Sequence, residues 1–367
     1  MKTRVSIVKC KTYNDKEVGL SVARAFELLG GISSFVRKGE RVLIKPNMLS
    51  GKTAEFGVNT HIEIIRAVVR LIKECGGSPL IGDTPGGALT SKEVYASSGI
   101  LSLSQEEEVE CLEVNNVKMV SGIPMASYFF ECDKIISLPK MKTHSLMGLT
   151  GAVKNMYGAV SGLYKSELHK AFPRPEKFAN VLVDVFKEVK PHLVLMDAVI
   201  AMDGNGPSAG RLKNVGLLIG GEDSVAVDTV FSHLIGMDPL SLLTTKEAYR
   251  RGLGQTDLKK IDLVGEKIEK GLIKDFDLPR SKAFMRLPSP ILKKIAGFVK
   301  FRPYIDEGLC KRCMLCVKTC PVSVITVDKK ITNIDYKKCI RCMCCHEVCP
   351  HRAIEVKRGI LARVFGL

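Results

Sequence analysis

Residues 310–321 read CKRCMLCVKTCP, and residues 339–350 read CIRCMCCHEVCP. Both runs have the form C-x2-C-x2-C-x3-C-P, and each cysteine of the second stands 29 residues after its counterpart in the first. Three thiolates on one tight loop can hold three irons of a cubane cluster, and the fourth ligand must come from elsewhere. Structural zinc is served by two CxxC pairs or Cys/His mixtures, which leaves the third cysteine and the proline of each run without a purpose. Disulfides need an oxidising compartment, and no apolar signal segment or twin-arginine stretch opens residues 1–11. The duplicated spacing therefore predicts two [4Fe-4S] clusters in a protein that moves electrons.

Where two such runs occur together, the fourth cysteine of each ligates the other run's cluster. That rule assigns Cys310, Cys313, Cys316 and Cys349 to one cluster, and Cys339, Cys342, Cys345 and Cys320 to the other. Cys344 is an extra thiol wedged between two ligands: a spare, a target of oxidation or a ligand-exchange partner. Cys10, Cys75, Cys111 and Cys132 lie among apolar or helical residues and are expected to be buried, reduced and inert.

A chain of 367 residues with 46% hydrophobic content can bury one large core and a small satellite domain. No run approaches the ~18 apolar residues of a membrane span, so a soluble or peripheral protein is expected. Eight thiolates and two oxidised cubane cores lower the formal charge of +16 to about +12. Such a surplus favours acidic partners: an acidic ferredoxin as electron donor or acceptor, an anionic small molecule, or an anionic membrane surface. Nucleic acid is disfavoured, because no helix-turn-helix, RNP-like or basic-aromatic pattern occurs. Iron–sulfur cysteines without an export signal point to a reducing cytoplasm.

The first 270 residues alternate β-rich runs with amphipathic helices. Strands are expected at 5–8, 41–44, 79–82, 134–138, 193–196, 215–219 and 261–264, with helices at 20–36, 62–74, 177–190, 225–235 and 240–251. This alternation predicts an α/β fold with a mostly parallel sheet covered by helices on both faces. Residues 1–274 form that domain. A basic, proline-containing linker follows at 275–303, then a small α+β cluster domain at 304–358 and a tail at 359–367. A short helix at 291–300 is expected to pack against the large domain, with membrane or partner docking as the other reading.

Parallel sheets place their sites beyond the carboxyl ends of the strands, and polar residues follow each expected strand here. Thr60 is a candidate N-cap. Lys140, Lys142, His144, Lys154 and Asp83 are the candidate catalytic residues; Lys45, Asn47, His61, Asn155, Asp197 and Asp203 are candidates for substrate binding. Lysines crowded together need an anion or the aspartates to offset their repulsion, ammonium groups in a cleft suit carboxylate or phosphate, and a lysine or histidine there can protonate a carbanion formed by reduction. The segments 82–87 (GDTPGG) and 204–207 (GNGP) read as turns, the first with a phosphate cradle as the rarer reading. No dinucleotide fingerprint, GxSxG elbow or HExxH helix stands out.

Together, IKPN, THIEIIRAVVRLIKECGG, GDTPGG, ISLPKMKTH, TGAVKNMYG, VKPHLVLMDAVIAMDGNGP and EDSVAVDTVFSHLIG resemble the DUF362 family over residues 1–270. Members often carry a two-cluster ferredoxin module at the carboxyl end. The resemblance implies architecture rather than a reaction. A remote fold relationship to the amino-terminal part of nickel-dependent lactate racemases is also expected, but their paired-histidine motifs are not evident and their chemistry is not carried over. The cysteine-rich segment resembles bacterial two-cluster ferredoxins: Ile325 and Val327 match Ile354 and Val356 at the 29-residue offset, and Cys344 is the departure.

Three functions follow as expectations. The first is a ferredoxin-linked reductase acting on an anionic small molecule in the large domain. The second is an electron-transfer subunit whose large domain docks a partner enzyme, with its lysines spread over a flat face. The third is a redox-regulatory or cofactor-maturation protein.

Overall fold

A computed structural model describes residues 3–269, 272–279, 301–328 and 332–358. The expected helix at 291–300 and the tail at 359–367 lie outside the described residues. Short runs of Val, Ile and Leu form the strands of one ten-stranded sheet. In chain order its path strands, with the hairpin β5–β6 and the side strands β8 and β9, are β1 (Thr3–Lys9), β2 (Arg41–Pro46), β3 (Ser78–Gly82), β4 (Glu110–Leu112), β5 (Val117–Val120), β6 (Ile123–Ala126), β7 (Lys134–Leu138), β8 (Lys140–His144), β9 (Gly148–Leu149), β10 (Leu193–Asp203), β11 (Arg211–Gly221) and β12 (Ile261–Gly265). The spatial order along the path is β12-β1-β11-β10-β7-β2-β3-β4, with β8 paired to β10 and to β9.

The sheet is mostly parallel, as expected. β2 runs parallel to β3 and β7, and β10 runs parallel to β7 and β8; β11 is antiparallel to both of its neighbours, β1 and β10. The chain moves outward from β2 through β3 to β4 and then returns to β7 on the other side of β2. The order therefore reverses between β2 and β7, where an open α/β sheet leaves a crevice at its carboxyl edge.

Alternate residues of the strands face opposite layers. Val42 and Ile44 pack against the helices Asp15–Glu27 and Ile62–Glu74, whereas Leu43 faces the helix Pro175–Glu188. The helix Ile62–Glu74 lies where expected. Its Ile64, Ile65, Val68, Val69 and Ile72 are buried, each burial contributing about 1.5–3 kcal/mol. The first helix runs Asp15–Glu27, not 20–36, because Asn14 caps it by accepting from the Lys16 and Glu17 amides and Gly30–Gly31 (φ 110° and 85°) end it. His61, not Thr60, caps the second helix by accepting from the Glu63 amide. The Thr60 hydroxyl instead donates to the Leu138 carbonyl at 2.6 Å and accepts from the Asn47 amide at 2.8 Å, fastening the ends of β2 and β7 together. Of the four outlying cysteines only Cys10 is fully buried; Cys75, Cys111 and Cys132 are half-buried, and all are free thiols.

The small unit pairs β13 (Phe301–Ile305) with β16 (Ile354–Arg358) and β14 (Ile325–Val327) with β15 (Thr332–Ile334), around the helices Leu315–Thr319 and Cys344–Val348. Phe276 and Leu278, earlier in the chain, are buried in the large core. The duplication extends to the backbone. Arg312 and Met314 are left-handed (φ 54° and 65°), as are Arg341 and Met343 (φ 58° and 65°) at the same offset. Non-glycine residues adopt this conformation only when their surroundings enforce it.

Replacing Ile65 with Ala is expected to lower stability by about 2–5 kcal/mol, whereas Leu20→Ala, at a side chain that is 66% exposed, should stay within about 0.5 kcal/mol. Chemical denaturation of the two variants checks this.

Candidate functional site

The carboxyl ends of β2 and β3 bring Lys45 and Asp83 together. Lys45 Nζ lies 2.7 Å from Asp83 Oδ1, donates to the Pro46 carbonyl at 2.7 Å and to Asn155 Oδ1 at 3.2 Å. Three protons meet three acceptors. Burial pulls the Lys45 pKa down, and Asp83 opposes that pull. Asp83 also accepts from the Met48 amide at 2.8 Å, and Asn155 donates to Ser137 Oγ at 2.9 Å. A Cβ on Gly158 would stand 2.0 Å from Asp83 Oδ1, so glycine is required against the pair.

Asn155 and Lys154 ride on the short helix Gly151–Asn155, which Asp228 anchors by accepting from the Ala152 amide at 2.5 Å and the Val153 amide at 3.1 Å. Gly151 (φ 65°) permits this approach, because a Cβ there would meet the Asp228 carboxylate at 2.6 Å. Lys154 differs from the other lysines of the site. Among the described residues its ammonium group has neither a hydrogen bond nor an ion pair, only the face of the Tyr157 ring 6.0 Å from its centroid. Burial lowers its pKa, opposed by the more distant Glu347.

Lys45, Asn47, Asp83, Lys154 and Asn155, five of the eleven large-domain candidates, line one cleft of about 630 Å³, partly open to solvent. Lys165 and His169 line it too, although the sequence reading passed them over. Lys165 donates to the Thr84 carbonyl at 2.6 Å, to the Pro85 carbonyl at 3.0 Å and to the Thr84 hydroxyl, with burial bringing its pKa down to about 7. His169 stacks on Phe178, and burial lowers its pKa to about 4. Their only signal in sequence was helical spacing four residues apart, which any amphipathic helix shows.

The opposite wall belongs to the small unit. Thr319, Cys344, Glu347 and Val348 face the same cleft. Ser208 Oγ donates to the Glu347 carbonyl, and His346 places Nε2 3.0 Å from the Asn205 carbonyl and Nδ1 2.6 Å from the Ile354 carbonyl. A Cβ on Gly87 would meet Val348 at 2.6 Å and Thr319 at 2.7 Å. The segments 82–87 and 204–207 thus seat the helix Cys344–Val348. The first also lines the cleft, through Asp83, Thr84, Gly86 and Gly87.

Lys142 and His144 lie behind this wall. Lys142 Nζ donates to the Val58 carbonyl at 2.5 Å, and burial, reinforced by Lys154, holds its pKa well below the usual lysine range. His144 Nδ1 accepts from the Leu146 and Met147 amides, both at 3.2 Å, which leaves its proton on Nε2, 3.1 Å from Glu347 Oε1. The two atoms are close without good hydrogen-bond alignment. Burial lowers the His144 pKa to about 4. Burial raises that of Glu347, but His144, Lys154 and His169 pull harder and leave it well below the usual carboxylate range. Asn47 Oδ1, Thr150 Oγ1 and Thr319 Oγ1, all on the cleft, are buried without hydrogen-bond partners.

The remaining candidates do not converge there. Lys140 Nζ lies 2.8 Å from Asp197 Oδ2 and donates to the Tyr13 hydroxyl at 2.7 Å. Asp197 also accepts from Tyr13 and from the His61 amide, and the His61 ring stacks on Tyr13 at 3.6 Å. This closed network ties β8 and β10 to the first and second helices. Asp203 pairs with Arg211 at 2.9 Å and accepts from the Asp277 amide at 3.2 Å, away from the cleft. The expectation that all these groups surround one ligand is corrected: the network of Lys140 is structural, because every charge in it already has a partner.

The cysteines divide as the spacing required. Cys310, Cys313, Cys316 and Cys349 line one cavity, and Cys320, Cys339, Cys342 and Cys345 line another. Burial and then repulsion from Cys349, Cys313 and Cys310 push the Cys316 thiol up to about 11. Four cysteines around one cavity suit a multi-iron core. Cys344 lines both the second cavity and the cleft.

Comparison with known proteins follows these divisions. Residues 302–350 match a 4Fe-4S dicluster domain, so this unit is an iron–sulfur domain of the ferredoxin type, a match that supports iron–sulfur electron transfer. The chain is 32% identical over 259 residues to the thylakoid-associated protein sll1697 of Synechocystis sp., covering 69% of this chain and 80% of that protein. Among solved structures, the lactate racemase apoprotein from Thermoanaerobacterium thermosaccharolyticum matches with a TM-score of 0.37 and 13% identity, over 61% of this chain and 55% of that one. Among the described residues no helix is long and apolar enough to cross a membrane. Residues 42–233, about half of the chain, match the Domain of unknown function DUF362, and the chain belongs to that family.

Proposed function

We propose that the protein is a ferredoxin-linked reductase that binds an anionic small molecule in the cleft and reduces it through two [4Fe-4S] clusters. One cluster is held by Cys310, Cys313, Cys316 and Cys349, the other by Cys320, Cys339, Cys342 and Cys345. The observation that carries the reading is the position of Cys344, whose side chain borders both the second cysteine cavity and the cleft. A cluster in that cavity is one side chain away from a ligand beside Lys154. The clusters supply single electrons, delivered by an external carrier such as an acidic ferredoxin.

The chain's own residues bind, orient and balance charge. Lys154 is the cation left unsatisfied for the ligand's anionic group. Asn47, Thr150 and Thr319 present polar atoms that lack partners, and such atoms are costly to bury unless a ligand or water meets them. Lys165, its pKa brought down to about 7, offers a proton for the charge each electron brings, whereas Lys45 and Asp83 hold the floor of the cleft. An electron-transfer subunit with a docking domain would spread its lysines over an open face. Five of the expected residues instead meet in one concavity, which favours the enzyme.

Anaerobically reduced holoprotein is expected to be reoxidised by at least one member of a panel of small carboxylates and phosphate esters, followed by visible absorbance. Lys154→Met should slow that reoxidation by about tenfold or more, the loss of one charge-assisted contact, with both cluster signals intact. If no member of the panel reoxidises the wild type, or if the variant matches it, the proposed site is wrong. Lys140→Met should behave differently: it strands the buried Asp197 carboxylate and costs about 3–5 kcal/mol of stability, seen as an earlier denaturation midpoint.

Anion affinity should also depend on pH in one direction. The bound anion favours protonated Lys154, so affinity is full below the lysine's pKa, which burial sets under the ordinary value of about 10.4, and fades as pH climbs through it. Titrations across that range should show the fade in the wild type and a flatter profile in Lys154→Met. For the clusters, Cys349→Ser should remove the centre of Cys310, Cys313 and Cys316, taking bound iron from about eight to about four per chain. Loss of the other centre alone would overturn the assignment.

A further inference from the structure

Two cations at the boundary of the iron–sulfur domain carry a buried nitrogen without a hydrogen-bond partner among the described residues. Lys52, from the large domain, is only 8% exposed, and its Nζ has neither a hydrogen bond nor an ion pair among the described residues. Its close contact is the face of Phe56, with Nζ 5.2 Å from the ring centroid. Arg352, from the iron–sulfur domain, lies over the same ring at 5.9 Å, and its Nε is likewise buried and unpaired. Burial and repulsion from Arg352 bring the Lys52 pKa down to about 8, and the group that pulls it back up is the Cys349 sulfur. A buried ammonium group left unpaired near a second positive charge is unfavourable unless an anion accompanies it.

The missing anion has an evident source. Four thiolates around a cubane core carry a net charge of about −2 when oxidised and about −3 when reduced. Arg352 stands three residues after the ligand Cys349, with its amide 3.5 Å from the Cys349 carbonyl and its backbone left-handed (φ 55°). The counterpart of Arg352 in the first half is Ser323, at φ 50°, so the duplication preserves the turn and supplies the cation on one side only. Arg312 and Arg341 occupy matching places in the two loops, so the halves differ by Arg352 against Ser323 and by Glu347 against Lys318.

We infer that Lys52 and Arg352 are built-in counter-ions of the cluster held by Cys310, Cys313, Cys316 and Cys349, and that they raise its reduction potential above that of the cluster beside the cleft. A cation next to a cubane favours the more negative, reduced form, and net charge is among the terms that set the potential. An electron entering the protein therefore rests on the cluster whose cavity mouth is open, where Cys313, Lys311 and Arg312 are exposed. The cleft-side cluster, flanked by Glu347, is the stronger reductant. The inference rests on a cluster at Cys349 and is independent of any reaction in the cleft.

The test is an anaerobic potentiometric titration of the full-chain holoprotein, read by electron paramagnetic resonance. Lys52→Met and Arg352→Gln should each move the same single midpoint to more negative potential, and it should be the midpoint that disappears in Cys349→Ser. Lys52→Arg, which keeps the charge, should leave it near the wild-type value. Glu347→Gln should move the other midpoint to more positive potential. Absence of a shift, a positive shift, a joint shift of both midpoints, or an equal shift in Lys52→Arg would overturn the inference. If Lys52→Met fails to assemble its clusters, Arg352→Gln decides by the same criteria.

Discussion

Glu347 brings a carboxylate from the iron–sulfur domain into a cleft that the large domain lines with ammonium groups and neutral imidazoles. A carboxylate buried alone would cost several kcal/mol and would take up a proton. Here His144, Lys154 and His169 surround it and hold it ionised, and its backbone is fastened by Ser208 while its neighbour His346 reaches the Asn205 carbonyl. In turn, Lys142 behind the wall and Lys154 on the cleft repel each other, and Glu347 offsets both charges. The electrostatics of the site therefore belong to neither domain alone, and the helix Cys344–Val348 is both a wall of the cleft and a part of the cluster-binding loop.

The lysines sort by how many of their protons are already satisfied. Lys45 and Lys165 each have three oxygen acceptors, and Lys140 has a carboxylate and a phenol. Such groups hold strand ends in place, and losing one partner of a buried pair is costly. Lys142 has one carbonyl. Lys154 has only a ring face, and Lys52 has the same kind of contact on the ring it shares with Arg352. Cations left without hydrogen-bond partners mark places that suit an anion, which on the proposed reading is a ligand beside Lys154 and a cluster beside Lys52.

The glycine-rich loops illustrate a different economy. A Gly-Asp-Thr-Pro-Gly-Gly run after a strand suggests a ligand cradle, but Gly87 is needed because Val348 and Thr319 press against it. Gly206 likewise packs onto the Thr143 backbone, where a Cβ would stand 2.4 Å from the carbonyl oxygen. Close approach of backbone to a partner element is as common a reason for glycine as close approach to a ligand.

By itself the sequence determined whatever depends on local spacing. The cysteine runs foretold the two groups of four that line separate cavities, because a tight loop presents three thiols together and the fourth comes from the other run. The alternation of β-rich runs with amphipathic helices fixed a mostly parallel sheet and put the polar residues at its carboxyl edge, since both periods are properties of the backbone. Only the tertiary structure decided which of those polar residues share a cleft. Lys140, Asp197 and His61 close on themselves through Tyr13, and Asp203 is taken by Arg211, pairings between residues up to 184 positions apart that no local pattern encodes. Lys165, His169 and Glu347 entered the site unannounced, because a buried charge looks like any surface charge until packing removes its water.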